Sequence, residues 1–354
     1  EYTMARSRID GLHLWDWIDA VGYRRGQAPP YEALIASAML GAARCACSGI
    51  TCLGDSSFSG AAADAVEALG MRGVVYLELF GQSMRTHYAQ EFASKLDTAA
   101  ERQARASSRL IIGLSPHTIY TSNAEVLKLC AETCTDLHMP VALHLSETEA
   151  ETEYSIHGTG PIADWRGKLG YEPMISGLRP AQYLDSLGLL RKGVCLAHCV
   201  DISDDEINLI AKSGASVAHC PRSNAYLGAG IAPLKAFLDA GTCVGIGTDS
   251  AASCLMLDFF EEMRFVLGLA RAKAKDAGVL TAKDVLRLAT MGGAEALGLS
   301  DKIGTLEPGK RADMVAIDLA AKMPEEDIYL AILSRQPGDV KLTLVDGVEI
   351  VRDG

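Results

Sequence analysis

The chain has 354 residues and 49% apolar content, which is enough to bury a substantial core. Its 33 basic and 45 acidic residues give a net charge of −12 with no basic stripe, which excludes nucleic-acid backbone binding and favours a small-molecule partner. No apolar run approaches the ~20 residues of a membrane span, and the first residues of this sequence do not show a basic region followed by an apolar core. The ten cysteines lack disulfide or zinc-ribbon spacing, so reduced thiols and a cytoplasmic location are predicted.

Short runs rich in valine, isoleucine, leucine and alanine alternate with longer helical patterns. Seven runs predict strands, at residues 49–54, 73–79, 109–115, 140–145, 193–198, 215–220 and 243–248. Helices are predicted at 61–69, 125–137, 204–213 and 231–240. Repeated strand-helix units predict an α/β fold with a parallel sheet, and we expect a (β/α)8 TIM-type barrel. Residues 1–48 contain helical patterns only, so the first strand of the barrel is expected to be the missing one.

The sequence pattern changes after Gly298. Residues 304–313 are rich in turn formers, residues 314–317 predict a short strand, and residues 342–351 predict a hairpin turning at Asp346 and Gly347. We therefore expect a barrel domain over residues 1–300 and part of a small β-sandwich appendage over residues 301–354. A hairpin is marginal alone, so further strands of this appendage are expected before Glu1.

Side chains that can bind metal or transfer protons follow several predicted strands. They are His117, His144, Glu147, His198 and Asp249. In a TIM-type barrel the chemistry lies at the C-terminal ends of the strands. Histidine, glutamate and aspartate there suit a metal site that holds a hydroxide and moves protons. Each also has a purely structural interpretation, as a core histidine, a packed His117, a solvated Glu147 or a helix-capping Asp249.

Five segments in this order resemble the amidohydrolase superfamily. They are Ser115-Pro116-His117, His144-Leu145-Ser146-Glu147-Thr148, Leu196-Ala197-His198-Cys199-Val200, His219-Cys220-Pro221-Arg222-Ser223-Asn224 and Gly245-Ile246-Gly247-Thr248-Asp249-Ser250. The resemblance runs from about residue 49 to residue 318. Within the superfamily it is strongest to the aminohydrolases that include S-adenosylhomocysteine/methylthioadenosine deaminases, aminodeoxyfutalosine deaminases and triazine hydrolases.

The resemblance implies a role for each of these side chains. His144 and Asp249 match ligands of one divalent metal ion, with zinc as the first choice and iron or manganese as alternatives. Glu147 matches the proton shuttle, and His198 matches the histidine that assists the attacking water. Asp249 can also accept a proton from that water, and His117 matches a substrate-contacting histidine. A divalent metal lowers the pKa of bound water, and a nearby carboxylate can pass the proton to a ring nitrogen.

The start of the chain departs from the family pattern. Members carry a His-x-His pair at the end of the first strand, just before residues comparable to Glu1-Tyr2-Thr3-Met4. Two metal ligands are therefore expected upstream of Glu1. Catalytic sites usually have three or more protein ligands, so metal binding by this chain is expected to be weak or missing.

Two segments carry clues to the substrate. Residues 220–224 resemble the aminodeoxyfutalosine deaminase pattern more than the adenosylhomocysteine pattern, which makes Arg222 and Asn224 candidate substrate-binding residues. Residues 157–180 resemble an enlarged loop after strand five in that group. Within this loop Trp165 is either a packed lid residue or a ring that stacks on a base.

We therefore expect hydrolytic deamination of an aminopurine-like nucleoside of the aminodeoxyfutalosine or adenosylhomocysteine type. Water would attack the amine-bearing ring carbon and ammonia would leave. One alternative is hydrolysis of another substituted azine, with loss of amine or chloride. The other is a metal-free relative of the dihydropyrimidinase-like scaffold proteins, against which the retention of His144, Glu147, His198 and Asp249 argues. No nucleic-acid or membrane partner is expected, and homo-oligomerisation is left open.

Overall fold

A computed structural model describes residues 1–21, 29–81, 88–319 and 327–353. The described strands are β1 (Cys52–Ser57), β2 (Arg72–Leu79), β3 (Leu110–Pro116), β4 (Val141–Leu145), β5 (Val194–His198), β6 (Ser216–His219), β7 (Cys243–Ile246), β8 (Met314–Ile317), β9 (Val340–Val345) and β10 (Val348–Arg352).

Helices cover the strands and connect them. The described α-helices are α1 (Leu14–Val21), α2 (Tyr31–Cys47), α3 (Ala61–Ala68), α4 (Tyr88–Arg105), α5 (Ala124–Asp136), α6 (Glu149–His157), α7 (Gly160–Lys168), α8 (Pro180–Ser186), α9 (Asp204–Ser213), α10 (Pro221–Tyr226), α11 (Leu234–Asp239), α12 (Ala251–Cys254), α13 (Phe259–Ala274), α14 (Ala282–Arg287), α15 (Gly293–Ala296) and α16 (Ile328–Leu333). Short 3₁₀ helices span Tyr2–Ala5 and Pro337–Asp339, and a π-helical turn spans Leu288–Gly292. None of the helices in the described ranges combines the length and apolarity needed to cross a membrane.

Strands β1 to β7 form one parallel sheet in which the spatial order follows the chain order. The sheet curls into a half-barrel, which confirms the predicted α/β architecture of TIM type. The register of β4 against β5 pairs Leu145 with His198, so His144 and His198 emerge near each other at the C-terminal ends. Within the described part of residues 1–48 the elements are helical, as expected.

The predicted strands agree with the structure in position, with one shift. Every residue of β2 is buried, which explains its almost continuous apolar sequence. Strand β1 begins at Cys52 and continues through Asp55, whereas the sequence predicts residues 49–54. The last residues of β1 are polar, and Asp55 and Ser56 line a cavity, so this end of the strand has the composition of a loop.

The C-terminal sheet has three antiparallel strands in the order β10-β9-β8. Its hairpin turns at Asp346 and Gly347, which both have positive φ angles (53° and 74°) that suit a two-residue turn. The buried Arg72 at the start of β2 connects this sheet to the barrel. Its guanidinium donates hydrogen bonds to Asp313 at 2.8 Å and to Asp346 at 2.9 Å. The strand at 314–317 and the hairpin are confirmed, and a domain boundary at residue 300 stays a prediction.

Candidate active site

A cavity of about 1100 Å³ lies inside the half-barrel and reaches the C-terminal ends of its strands. Six of the predicted site residues line it: Trp165 on α7, and five at or just after strand ends, namely His117, His144, Glu147, His198 and Asp249. These five come from the loops or strand ends at β3, β4, β5 and β7. The TIM-type topology therefore brings together residues that are up to 132 positions apart in the sequence, from His117 to Asp249.

The three histidines form a row across neighbouring strands. The ring centroids of His117 and His144 lie 4.8 Å apart, and the stacked rings of His144 and His198 lie 5.4 Å apart. Nδ1 of His144 lies 3.0 Å from the backbone oxygen of His117. Because a carbonyl oxygen only accepts hydrogen bonds, Nδ1 carries the proton and Nε2 keeps a lone pair. Burial lowers the pKa of His144 to about 4, which keeps this ring neutral at pH 7.

His198 is held by two polar partners. Its Nδ1 atom lies 2.8 Å from the side-chain oxygen of Asn224 and 3.8 Å from Oε1 of Glu147. The backbone of His198 has a φ of 74°, an uncommon conformation for a residue other than glycine. Burial opposes protonation of His198, but the charges of Glu147 and Asp249 outweigh burial and raise its pKa.

Glu147 follows β4 and is buried beside His198. Burial is the main cause that raises the pKa of Glu147, so its carboxyl group holds a proton more readily than an exposed glutamate does. The backbone N–H of Glu147 donates to Oε2 of Glu151 at 3.2 Å. Glu151 lies on α6 and therefore fixes the loop that carries Glu147.

Asp249 follows β7 with a φ of 59°. Its Oδ1 atom accepts from the backbone N–H of Ser250 at 2.6 Å, and its Oδ2 atom accepts from the hydroxyls of Ser223 and Ser253. Both carboxylate oxygens are therefore oriented by short contacts. Ser223 lies on α10, which ties Asp249 to the segment between β6 and β7.

Two predicted substrate-binding residues do not reach the cavity. Arg222 is 1% exposed, and its guanidinium pairs with Glu262 at 2.8 Å and with Glu261. Those partners lie on α13, so Arg222 joins α10 to α13 and faces away from the site. Asn224 is fully buried and contacts His198, so it supports a site residue and does not itself line the cavity.

Trp165 and His117 do line the cavity. Trp165 is 7% exposed and lies in a cluster with Trp15 and Tyr120, with ring centroids 6.2 and 6.5 Å away. This position is compatible with both interpretations of Trp165, a packed lid residue and a ring that contacts substrate. Nδ1 of His117 contacts the hydroxyl of Thr121 at 2.9 Å, which leaves Nε2 available to the cavity.

The acidic residues that line the cavity include two on strands, which the sequence motifs do not contain. Glu78 on β2 and Asp55 on β1 both line the cavity. Burial raises the pKa of Glu78 to about 8 and that of Asp55 to about 6, with neighbouring carboxylates adding to both shifts. The sequence does contain a signal for Glu78, which is the single acid within the apolar strand predicted at residues 73–79. A carboxyl group is costly to bury, so an acid at such a position indicates a function.

Nearly the whole chain matches a known family. The model of the amidohydrolase family matches residues 1–350, and this protein belongs to that family. A 5-methylthioadenosine/S-adenosylhomocysteine deaminase of Nitratidesulfovibrio vulgaris strain Hildenborough is 33% identical over 99% of this chain and 76% of its own length. The enzyme of the same name from Natronomonas pharaonis is 36% identical over 99% of this chain and 78% of its own length.

Solved structures agree with this assignment. An adenosine deaminase from Xanthomonas campestris with bound zinc has a TM-score of 0.87 and 30% identity, covering 99% of this chain and 78% of that one. An atrazine chlorohydrolase from Arthrobacter aurescens TC1 complexed with zinc has a TM-score of 0.80 and covers 99% of this chain and 81% of its own. At 22% identity the second likeness shows the shared fold alone.

Proposed function

We propose that this protein is a metal-dependent hydrolase that deaminates an aminopurine nucleoside. The observation that carries the proposal is the convergence of His144, Glu147, His198 and Asp249 on one cavity at the C-terminal ends of the strands. The deaminase names of relatives that are 33% and 36% identical over 99% of the chain support the same reaction class. A cytoplasmic location stays a prediction.

Two donor groups at the cavity suit a divalent metal. His144 offers a neutral imidazole whose Nε2 lone pair is free because Nδ1 is bound to a carbonyl. Asp249 offers a carboxylate fixed by Ser250, Ser223 and Ser253. We therefore propose His144 and Asp249 as metal ligands, and zinc as the first choice because imidazole and carboxylate are common zinc ligands. The bound metal would supply a Lewis acid that activates water near neutral pH.

The residues of the chain supply proton transfer and orientation. Glu147 lies beside His198 with a raised pKa, so its carboxyl group can accept a proton from the attacking water and return it to a ring nitrogen. His198 is oriented by Asn224 and would assist the attacking water through its Nε2 atom. His117 offers Nε2 to the substrate from the neighbouring strand.

Hydrolysis of other azines is the less favoured reaction. Its support is the likeness to the atrazine chlorohydrolase, and that likeness concerns the fold. The deaminase relatives are more similar in sequence, and the 30% identical structural neighbour is itself an adenosine deaminase. The two reactions differ in the group released, which is ammonia in one case and chloride or an amine in the other.

Ammonia release from a nucleoside panel tests the proposal. The zinc-supplemented protein is incubated with adenosine, 5′-methylthioadenosine, S-adenosylhomocysteine and aminodeoxyfutalosine, and ammonia is measured together with the change in purine absorbance. We expect turnover of at least one of these nucleosides and loss of turnover after chelation. Release of chloride from chlorotriazines with no ammonia from any nucleoside would overturn the assignment.

A further inference from the structure

Glu78 has no role in the chemistry described so far, although its position is unusual. The residue lies near the C-terminal end of β2, is 4% exposed and lines the cavity. Its Oε2 atom is buried and has no hydrogen-bond partner among the residues that the structure describes. A buried carboxyl oxygen without a donor is costly, so a donor from a bound ligand would stabilise it.

The surroundings of Glu78 place it at the reacting end of the site. One carboxyl oxygen of Glu78 and one ring nitrogen each of His117 and His144 lie within 4.8 Å of one another. The ring of Phe80, two residues further along, lies with its centroid 4.9 Å from that of His117 and also lines the cavity. Glu78 is therefore next to the proposed metal ligand His144 and beside an aromatic surface suited to a flat ring.

Among the described residues that line the cavity, there is no lysine or arginine that could pair with Glu78. Lys95 influences Glu78 electrostatically, but its ammonium donates to the backbone oxygen of Phe58 at 3.3 Å. The acids Glu1 and Asp55 are also close enough to disfavour another negative charge. The group that satisfies Glu78 must therefore bring a hydrogen-bond donor.

The chemistry of an aminopurine nucleoside identifies that donor. The base of such a nucleoside has its N–H donors on the exocyclic amine, at the carbon that water attacks, while the sugar is attached at the far side of the ring system. A carboxyl group near His144 is thus within the region where the amine lies in the proposed reaction, because the reacting carbon must approach the metal ligands.

We propose that Glu78 contacts the departing amine of the substrate and selects an amine over other leaving groups. This inference rests on the proposed function, since it assigns the amine-binding group of the same site. Water adds its oxygen to the ring carbon, one of its protons goes to a ring nitrogen and the other to the amine, and the carbon-nitrogen bond breaks so that the nitrogen leaves as ammonia. Glu78 accepts an N–H hydrogen bond of the amine throughout and is not itself consumed.

Paired substrates test the inference directly. Adenosine, which releases ammonia, is compared with 6-chloropurine riboside, which releases chloride and has no N–H donor on the reacting carbon. 5′-Methylthioadenosine and its 6-chloro analogue form a second pair for the case that the site requires a 5′ substituent. The protein is assayed as wild type, Glu78→Gln and Glu78→Leu, with the exposed Glu91→Gln on α4 as the control.

We expect Glu78→Leu to lower kcat/KM for the amine substrate by roughly 10- to 100-fold, the usual cost of leaving a buried polar group without its hydrogen bond, and to leave the chloro substrate within about threefold. Glu78→Gln keeps a neutral acceptor and should lose less. The affinity for purine riboside, which carries neither amine nor chloride, should be unchanged in both variants by isothermal titration calorimetry.

Three results would overturn the inference. An equal loss for the amine and chloro substrates would mean that Glu78 only supports the fold, which thermal melting of the variants checks independently. Loss of bound zinc in Glu78→Leu would make Glu78 a metal ligand. Unchanged amine turnover in Glu78→Leu would remove the contact. By contrast, absence of turnover of every nucleoside by the wild type would contradict the proposed function itself.

Discussion

The Nδ1 atom of His198 lies 2.8 Å from the side-chain oxygen of Asn224, and both side chains are buried. An amide oxygen accepts hydrogen bonds, so Nδ1 donates and Nε2 of His198 retains the lone pair that can accept a proton from water. The sequence motif predicts a substrate contact for Asn224, and the structure instead shows a residue that selects the tautomer of His198.

Replacing Asn224 with leucine should therefore disturb the chemistry more than substrate binding. We expect kcat of Asn224→Leu to fall by about 10- to 100-fold, as is usual when a supporting hydrogen bond to a site histidine is lost, with KM changed little. Asn224→Asp keeps an acceptor and should retain more activity. Steady-state kinetics with the preferred nucleoside check this, and the exposed Asn208→Leu on α9 is the control. A wild-type kcat in Asn224→Leu would contradict the role.

Glu147 is the proposed proton shuttle, so its removal should affect turnover and spare metal binding. We expect Glu147→Gln to lower kcat by roughly 10²- to 10⁴-fold, the usual contribution of general acid-base catalysis. Its metal content, measured by atomic absorption, should stay equal to that of wild type. Glu149→Gln changes an exposed glutamate two residues away and is the matched control. Near-normal turnover of Glu147→Gln would exclude Glu147 from the mechanism.

Most of the strands could be predicted from the sequence because they are buried on both faces of the sheet. A parallel strand covered on both faces must be apolar along most of its length, so β2, β4 and β5 appear in the sequence as short apolar runs. The end of β1 was less predictable because polar residues there face the cavity. The ordered motifs at His117, His144, Glu147, His198 and Asp249 were found because barrel chemistry follows the strand ends.

The parts of the site that sequence reasoning missed depend on long-range packing. Arg222 pairs with Glu262, 40 residues away on α13, and no local pattern shows that this partner turns the guanidinium from the cavity. The role of Asn224 likewise depends on His198, 26 residues upstream. Glu78 was missed because it belongs to no motif. That its Oε2 atom has no partner in the described part of the chain is visible only when the neighbours of β2 are known.

Glu151 should make the stability of the protein depend on pH. Burial is the main cause that raises its pKa from 4.5 to about 8. Between these values the folded state holds a proton that the unfolded state has lost, so the free energy of unfolding should decrease as pH rises through this window. Glu151→Gln keeps an acceptor for the backbone of Glu147 and should weaken this decrease, as measured by urea unfolding at pH 5, 6, 7 and 8. An identical pH dependence in Glu151→Gln and wild type would show that other groups cause it.

The proposed metal ligands make the strongest prediction about the site. His144 lies on strand β4 and Asp249 follows strand β7; these strands are not neighbours in the sheet, yet both side chains line one cavity. A shared ion explains this convergence, because a divalent metal is bound by several side chains at once. We expect the active protein to bind about one divalent ion per chain, as a single-metal mechanism requires.

His144→Ala and Asp249→Ala should each lose most of this metal, as measured by atomic absorption, together with deaminase activity. His157→Ala, an exposed histidine at the end of α6, should lose neither. If both site variants kept full metal content and activity, His144 and Asp249 would be structural residues and the metal would bind elsewhere.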